Sequence, residues 1–104
     1  MFESLVKSIN EAGGSVRAYD ACSREARARI ADEPQNAAAL LLISYATQRF
    51  VDSYDDQPLT VKEAAEELDE ITQIVGILDT AFSDGSEKAK LDALNAVSAR
   101  LAAK

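Results

Sequence analysis

TVKEAAEELDEITQIVGILDTAFSDG, residues 60–85, decides the fold. Thr60, with Glu63 three residues later and an apolar run behind it, forms a capping box, a local signature of a helix start. From there Val61, Ala64, Leu68, Ile71, Val75, Leu78 and Phe82 step alternately by three and four residues. That 3.5-residue repeat places one apolar seam along a long helix. Ile74, Ile77 and Ala81 widen the seam beyond what an isolated two-stranded coil needs, so the helix belongs in a bundle. Gly85 reads as a left-handed C-cap, with Asp84 or Ser86 capping the next helix.

The rest of the chain repeats the pattern. Toward the C-terminus, a helix over about 87–103 turns Leu91, Leu94, Val97 and Leu101 one way. Upstream, "NAAALLLISYA" opens a helix over about 35–54 that is apolar nearly all round and calls for neighbours on every side. Pro34 separates it from a helix over about 15–31, whose stripe is Val16, Tyr19, Cys22, Ala26 and Ile30 and whose other face carries Arg17, Arg24, Arg27 and Arg29. Phe2, Leu5, Val6, Ile9 and Ala12 fall at helical spacing, and Gly13-Gly14 ends that segment. The first two segments read either as two helices or as one broken at the glycines. No alternating strand pattern occurs. The expectation is a single domain over residues 1–104, all-α, an antiparallel four- to five-helix bundle.

Composition narrows the function. The chain has 104 residues, 47% of them hydrophobic, enough for one modest core. Its net charge is -7 and its pI about 4.5. It lacks the basic excess that neutralises phosphates or anionic lipid, so neither direct nucleic-acid binding nor membrane binding is expected. The longest apolar run, Ala37 to Ile43, is far short of a span. A single cysteine forms no internal disulfide, and the expected location is the cytoplasm.

Catalytic chemistry finds little to work with. The chain has no histidine, which removes Ser-His-Asp and Cys-His arrangements, the zinc-protease motif and the commonest general base. Cys22 sits on an apolar stripe and reads as core. From Asp52 the chain follows the outline of a calcium loop through Asp56, Thr60 and Glu63, but Tyr54 and Gln57 occupy positions that need a ligand and a glycine. Glu63, Glu66 and Glu70 share a helix face, which helix solvation explains without a metal. No cofactor, no metal and no enzymatic activity are expected.

What remains is charge. Residues 52–70 carry Asp52, Asp55, Asp56, Glu63, Glu66, Glu67, Asp69 and Glu70 against Lys62 alone, and so hold the whole net charge of the chain. Acids in a first helical turn favour the helix dipole, but Asp69 and Glu70 lie beyond it. No base follows any of these acids at i+4. The expected role is a protein-interaction module that docks a basic partner. The ridge of Asp52, Asp55, Asp56, Glu66, Glu67, Asp69 and Glu70 makes the contact, with Tyr54 and Leu59 as anchors beside it. The basic partner surface can be another protein or the arginine face of residues 17–29, within the chain or across a dimer. Two other readings compete: a self-assembling homodimer that buries the surplus stripe, and a DNA mimic whose carboxylates stand where phosphates would sit.

Overall fold

The computed structural model describes residues 1–103. They form five helices, α1 (Glu3–Glu11), α2 (Val16–Asp32), α3 (Ala37–Tyr54), α4 (Val61–Asp84) and α5 (Glu87–Ala102), with a 3-10 turn at Pro34–Asn36 leading into α3. No strand occurs among the described residues.

Local chemistry sets the ends. Gly13 and Gly14 take φ of +73° and +71°, a left-handed pair that side chains resist, so α1 and α2 are separate helices. Ser15 caps α2 by accepting from the Ala18 amide at 3.2 Å. The capping box forms as read: the Thr60 hydroxyl accepts from the Glu63 amide at 3.0 Å, and the Glu63 carboxylate accepts from the Thr60 amide at 3.4 Å. Gly85, at φ +80°, ends α4, and Ser86 caps α5 through the Ala89 amide.

The longest seam in the fold is between α2 and α3. It is lined by Tyr19, Cys22 and Ala26 on one side and by Leu40, Ile43 and Phe50 on the other, all buried. Two small polar residues sit inside it. Arg27 Nε donates to Ser44 Oγ at 2.6 Å, and the Ser44 and Ser23 hydroxyls lie 3.2 Å apart. Ser23 also reaches the Ser44 carbonyl and the Gln48 side chain, so both serine hydroxyls have partners. α1 packs on α2 and α4, α4 packs on α5, and α3 also meets α4 and α5. The Phe2 amide donates to Asp79 of α4, and Arg29 Nη2 donates to the Met1 carbonyl.

Three apolar expectations change. Val61, the first heptad position of α4, is 88% exposed. α4 has 24 residues and outruns every neighbour, so its first turns have little to pack against. Leu91 is 58% exposed because α5 buries Ala93, Val97 and Leu101 instead. At 100° per residue, Leu91 lies about 200° around from Ala93. α3 is not covered on every side: Leu41 and Tyr45 remain about half exposed. By contrast Ile74 and Ala81, expected as surplus, are buried, and only Ile77 stays half-exposed.

Two predictions follow from packing and charge at these joints. Leu40→Ala should cost about 2–5 kcal/mol in urea unfolding, the loss for emptying a fully buried site. Leu41→Ala, one residue on, should stay within about 0.5 kcal/mol; equal losses would mean that Leu41 is covered. The second concerns the end of α2. Glu33 accepts from Arg29 Nε at 2.6 Å and Nη2 at 2.9 Å and from Asn36 Nδ2 at 3.0 Å, and these bonds, Arg29 first, hold its carboxyl down at about 2. Its ordinary value is 4.5, so its contribution to stability is complete above that pH and is lost as pH falls toward 2. Glu33→Gln should therefore flatten the acid limb of the stability–pH curve between those values and leave the limb above pH 5 with the parent's slope.

Candidate functional site

The acidic stretch folds into the end of α3, a short connection and the start of α4. α3 stops at Asp55, which turns to extended backbone. Asp56 follows at φ 58°, the left-handed region that Asp tolerates better than most residues. Gln57 then donates back to the Tyr54 carbonyl at 3.1 Å, and Thr60 starts α4. This tight return brings Asp52, Asp55 and Asp56 to the end of the molecule from which α4 starts, and all three are exposed.

The sequence-predicted residues divide into two groups. Asp52, Asp55, Asp56, Glu66 and Asp69 are exposed. Asp52 accepts from Gln48, and Asp69 accepts from Gln73 at 2.7 Å. Lys62 approaches Glu66 at 3.8 Å from the N-terminal side, a direction that a search for bases at i+4 passes over. Tyr54, Leu59, Glu67 and Glu70 turn inward and are half-buried. Tyr54 and Leu59 pack on the edge of the core. Glu70 is bound by Arg100 of α5, whose Nε and Nη2 donate to its two oxygens at 2.7 and 2.8 Å. The arginines of α2 do not meet the ridge among the described residues. Arg24 pairs with Asp20, Arg29 with Glu33, and Arg27 bonds Ser44.

Behind the ridge lies a cleft of about 230 Å³, framed by α2, α3, α4 and the end of α5. Tyr19 stacks on Phe50 with centroids 3.7 Å apart, and Phe50 meets Tyr54 at 4.8 Å. These three rings line the cleft together with Glu67 and Glu70. Arg49 also lines the cleft; its Nη1 donates to the Leu101 carbonyl, and its guanidinium lies 5.8 Å over the Tyr45 ring. Tyr19 is 2% exposed, yet its hydroxyl has no hydrogen-bond partner among the described residues. Burial holds that phenol above its ordinary range, and the Glu67 charge pushes the same way. Tyr54 shifts upward too, first by desolvation and then by the charges of Glu67 and Glu63.

Sequence reading did not find this cleft. Tyr19 stands on an apolar stripe and reads as core, as it is; nothing local says that its hydroxyl is buried without a partner among the described residues. The Glu70–Arg100 pair joins residues thirty apart. The available signal was the set of aromatics flanking the acids. Cys22 is buried as expected, its thiol pushed up to about 12 by burial and then by Glu25, which makes it a poor nucleophile. Among the described residues no group of three Asp, Glu or Cys side chains is placed to hold a metal ion, and no helix is long and apolar enough to cross a membrane.

No family model matches this chain, and neither the curated proteins nor the solved structures contain a match.

The two groups of acids should respond differently to neutralisation. Glu70→Gln should cost about 1 kcal/mol, since it weakens a two-pronged, partly buried bond to Arg100. Glu66→Gln should be close to neutral, because an exposed pair to Lys62 is worth little. Urea unfolding of both variants checks this. Equal effects would mean that Glu70 is no more engaged than the exposed ridge.

Proposed function

We propose that this chain is a non-enzymatic protein-interaction module that docks a basic partner through its acidic end. An inhibitor, an immunity-type protein, an adaptor or a regulatory subunit would all work in this way. The observation that carries the reading is the end of α3. A helix C-terminus is the negative end of its dipole and favours Lys or Arg. The last turn of α3 has no base. It carries Asp52, with Asp55 at the cap and Asp56 just beyond, and none of the three forms an ion pair among the described residues. Local stability alone selects against that placement. A single-sign field of this kind speeds encounter and selects partners of opposite charge. The reading takes the helices as an antiparallel bundle of four to five, for which the short connections speak, and it takes the location as cytoplasmic. Neither catalysis nor direct nucleic-acid binding forms part of it.

A second reading, a homodimer, is favoured by one observation. Leu41 and Tyr45, one turn apart on α3, are 54% and 52% exposed. A symmetric contact would cover them.

The deciding experiment is an affinity capture at low salt, followed by the same capture with Asp52, Asp55, Asp56 and Asp69 all changed to Asn. The docking reading expects one partner that leaves the parent between roughly 0.1 and 0.5 M salt, where screening shortens the reach of exposed charges. It expects the variant to bind at least about tenfold more weakly at low salt, with the gap closing as salt rises. Equal binding by parent and variant at low salt sinks the reading. A dimeric mass in light scattering that Tyr45→Asp abolishes would favour self-assembly instead.

A further inference from the structure

Buried residues occur all along the chain with one long gap. From residue 51 to residue 70 no residue is buried, the longest such run among the described residues. In the rest of α4, Ile71, Ile74, Val75, Leu78, Ala81 and Phe82 are all buried. One helix is therefore anchored over its second half and lightly held over its first. The boundary is the Glu70–Arg100 pair, where the guanidinium binds both carboxylate oxygens. Ahead of it the ties are the half-buried Leu59 and Leu68, the capping box and the Lys62–Glu66 pair. The connection into α4 also holds Asp56 at φ 58°, a left-handed conformation that disfavours residues with a side chain.

Charge works against closure in the same place. Winding residues 61–70 into a helix makes neighbours of acids three and four apart: Glu63 with Glu66 and Glu67, Glu66 with Asp69 and Glu70, and Glu67 with Glu70. Like charges at these spacings destabilise a helix. Within these turns only Lys62 and Glu66, 3.8 Å apart, pull the other way among the described residues. The bases that face the segment belong to the body of the fold: Arg100 holds Glu70, and Arg49 lines the cleft with Glu67 and Glu70.

We propose that residues 55–70 are a charge-governed latch: they open together while the rest of the fold stays intact, with the Glu70–Arg100 pair as the hinge, and positive charge near the ridge closes them. Segments with few buried contacts are the first to open, on microsecond to second timescales. Opening takes Glu67 out of the cleft lining and removes the fixed spacing that a helix gives the ridge. Salt screens the repulsion and shifts the balance toward the closed form. A basic surface shifts it further, because it binds the closed, concentrated ridge better than the open one. In the docking reading, part of the partner's binding free energy therefore goes into ordering the segment. The latch itself does not rest on that reading; it is a property of this chain alone.

Native-state hydrogen exchange, followed residue by residue by NMR, tests the latch without a partner. The amides of residues 64–69 should share one opening and be about a hundredfold or more less protected than those of Ile74, Val75 and Leu78. They should slow several-fold between roughly 0.02 and 0.5 M NaCl. Asp69→Lys turns the repulsive contact with Glu66 into an attractive one and leaves the capping box and the Arg100 bonds in place. It should slow the same amides about two- to fivefold at low salt and shrink the effect of NaCl. The start of α5 is an internal control: Ser86 caps it in the same way, but it carries Glu87, Lys88 and Lys90, so NaCl should not slow its amides. The proposal is overturned if residues 64–69 are as protected as Ile74, Val75 and Leu78, or if protection declines one residue at a time as at a fraying end. It is overturned equally if either NaCl or Asp69→Lys leaves exchange in the segment unchanged. The docking reading fails separately, by equal capture of parent and ridge variant.

Discussion

The fold hangs on the seam between α2 and α3. Two helices approach closely only where small side chains line the contact, and here the buried Ser23 and Ser44 meet. Burying two hydroxyls at such a place costs free energy unless each proton has somewhere to go. One consistent assignment exists: Arg27 donates to Ser44, Ser44 to Ser23, and Ser23 to the Ser44 carbonyl or to Gln48. A slide of one helix along the other by a single turn would break all of these bonds together. The network therefore acts on register more than on bulk stability. An apolar seam tolerates slippage; a satisfied polar one does not.

Register at that seam fixes what lies at the far end of it. Tyr19 is one turn before Ser23 on α2, and Phe50 lies beyond Ser44 and Thr47 on α3. Holding Ser23 against Ser44 brings the two rings into a stack, and that stack is the wall of the cleft. α4 then crosses the open end. Its own position is set at two points by charge: Asp79 receives the Phe2 amide near one end, and Glu70 receives Arg100 from α5 nearer the other. Between them the apolar face of Ile71, Ile74, Val75 and Leu78 is buried. The first turns of α4, before Glu70, extend past this clamp and are held by the capping box, the Lys62–Glu66 pair and the packing of Leu68 on the core.

How much of this the sequence discloses depends on how local the cause is. Helix ends at Ser15, Thr60 and Gly85 could be read directly, because a cap is a bond between residues three or four apart. The identity of every helix was legible for the same reason, through a periodicity contained within each segment. Which apolar positions are covered was not. Val61 continues the heptad without a break, but a heptad states only which face a residue is on, and nothing covers Val61 at that end among the described residues. Leu91 is exposed although Leu94, Val97 and Leu101 turn to the core, because Ala93 rather than Leu91 takes the inward position in the second turn of α5. The inward half of the acidic stretch was hidden more deeply. Glu67 and Glu70 differ from Glu66 and Asp69 only by rotation about α4, and the meaning of that rotation comes from Arg100 and Tyr19 on other helices.

That rotation divides the acids. Acids on α4 divide into an outward set that meets solvent and an inward set that meets the rings and Arg100. The outward set continues across the connection onto Asp55, Asp56 and Asp52, so one negative surface covers the end of two helices. Half of it is easy to explain, since Glu63 sits in the first turn of α4, where its charge interacts favourably with the helix dipole. The other half runs against the dipole of α3. A sequence shaped by stability alone would place lysine or arginine at Asp52 or Asp55, relieving both the dipole and the mutual repulsion of the acids. Sequences break such local rules chiefly where something other than folding sets the residue. The break here falls beside the cleft that Glu67, Glu70 and Arg49 line.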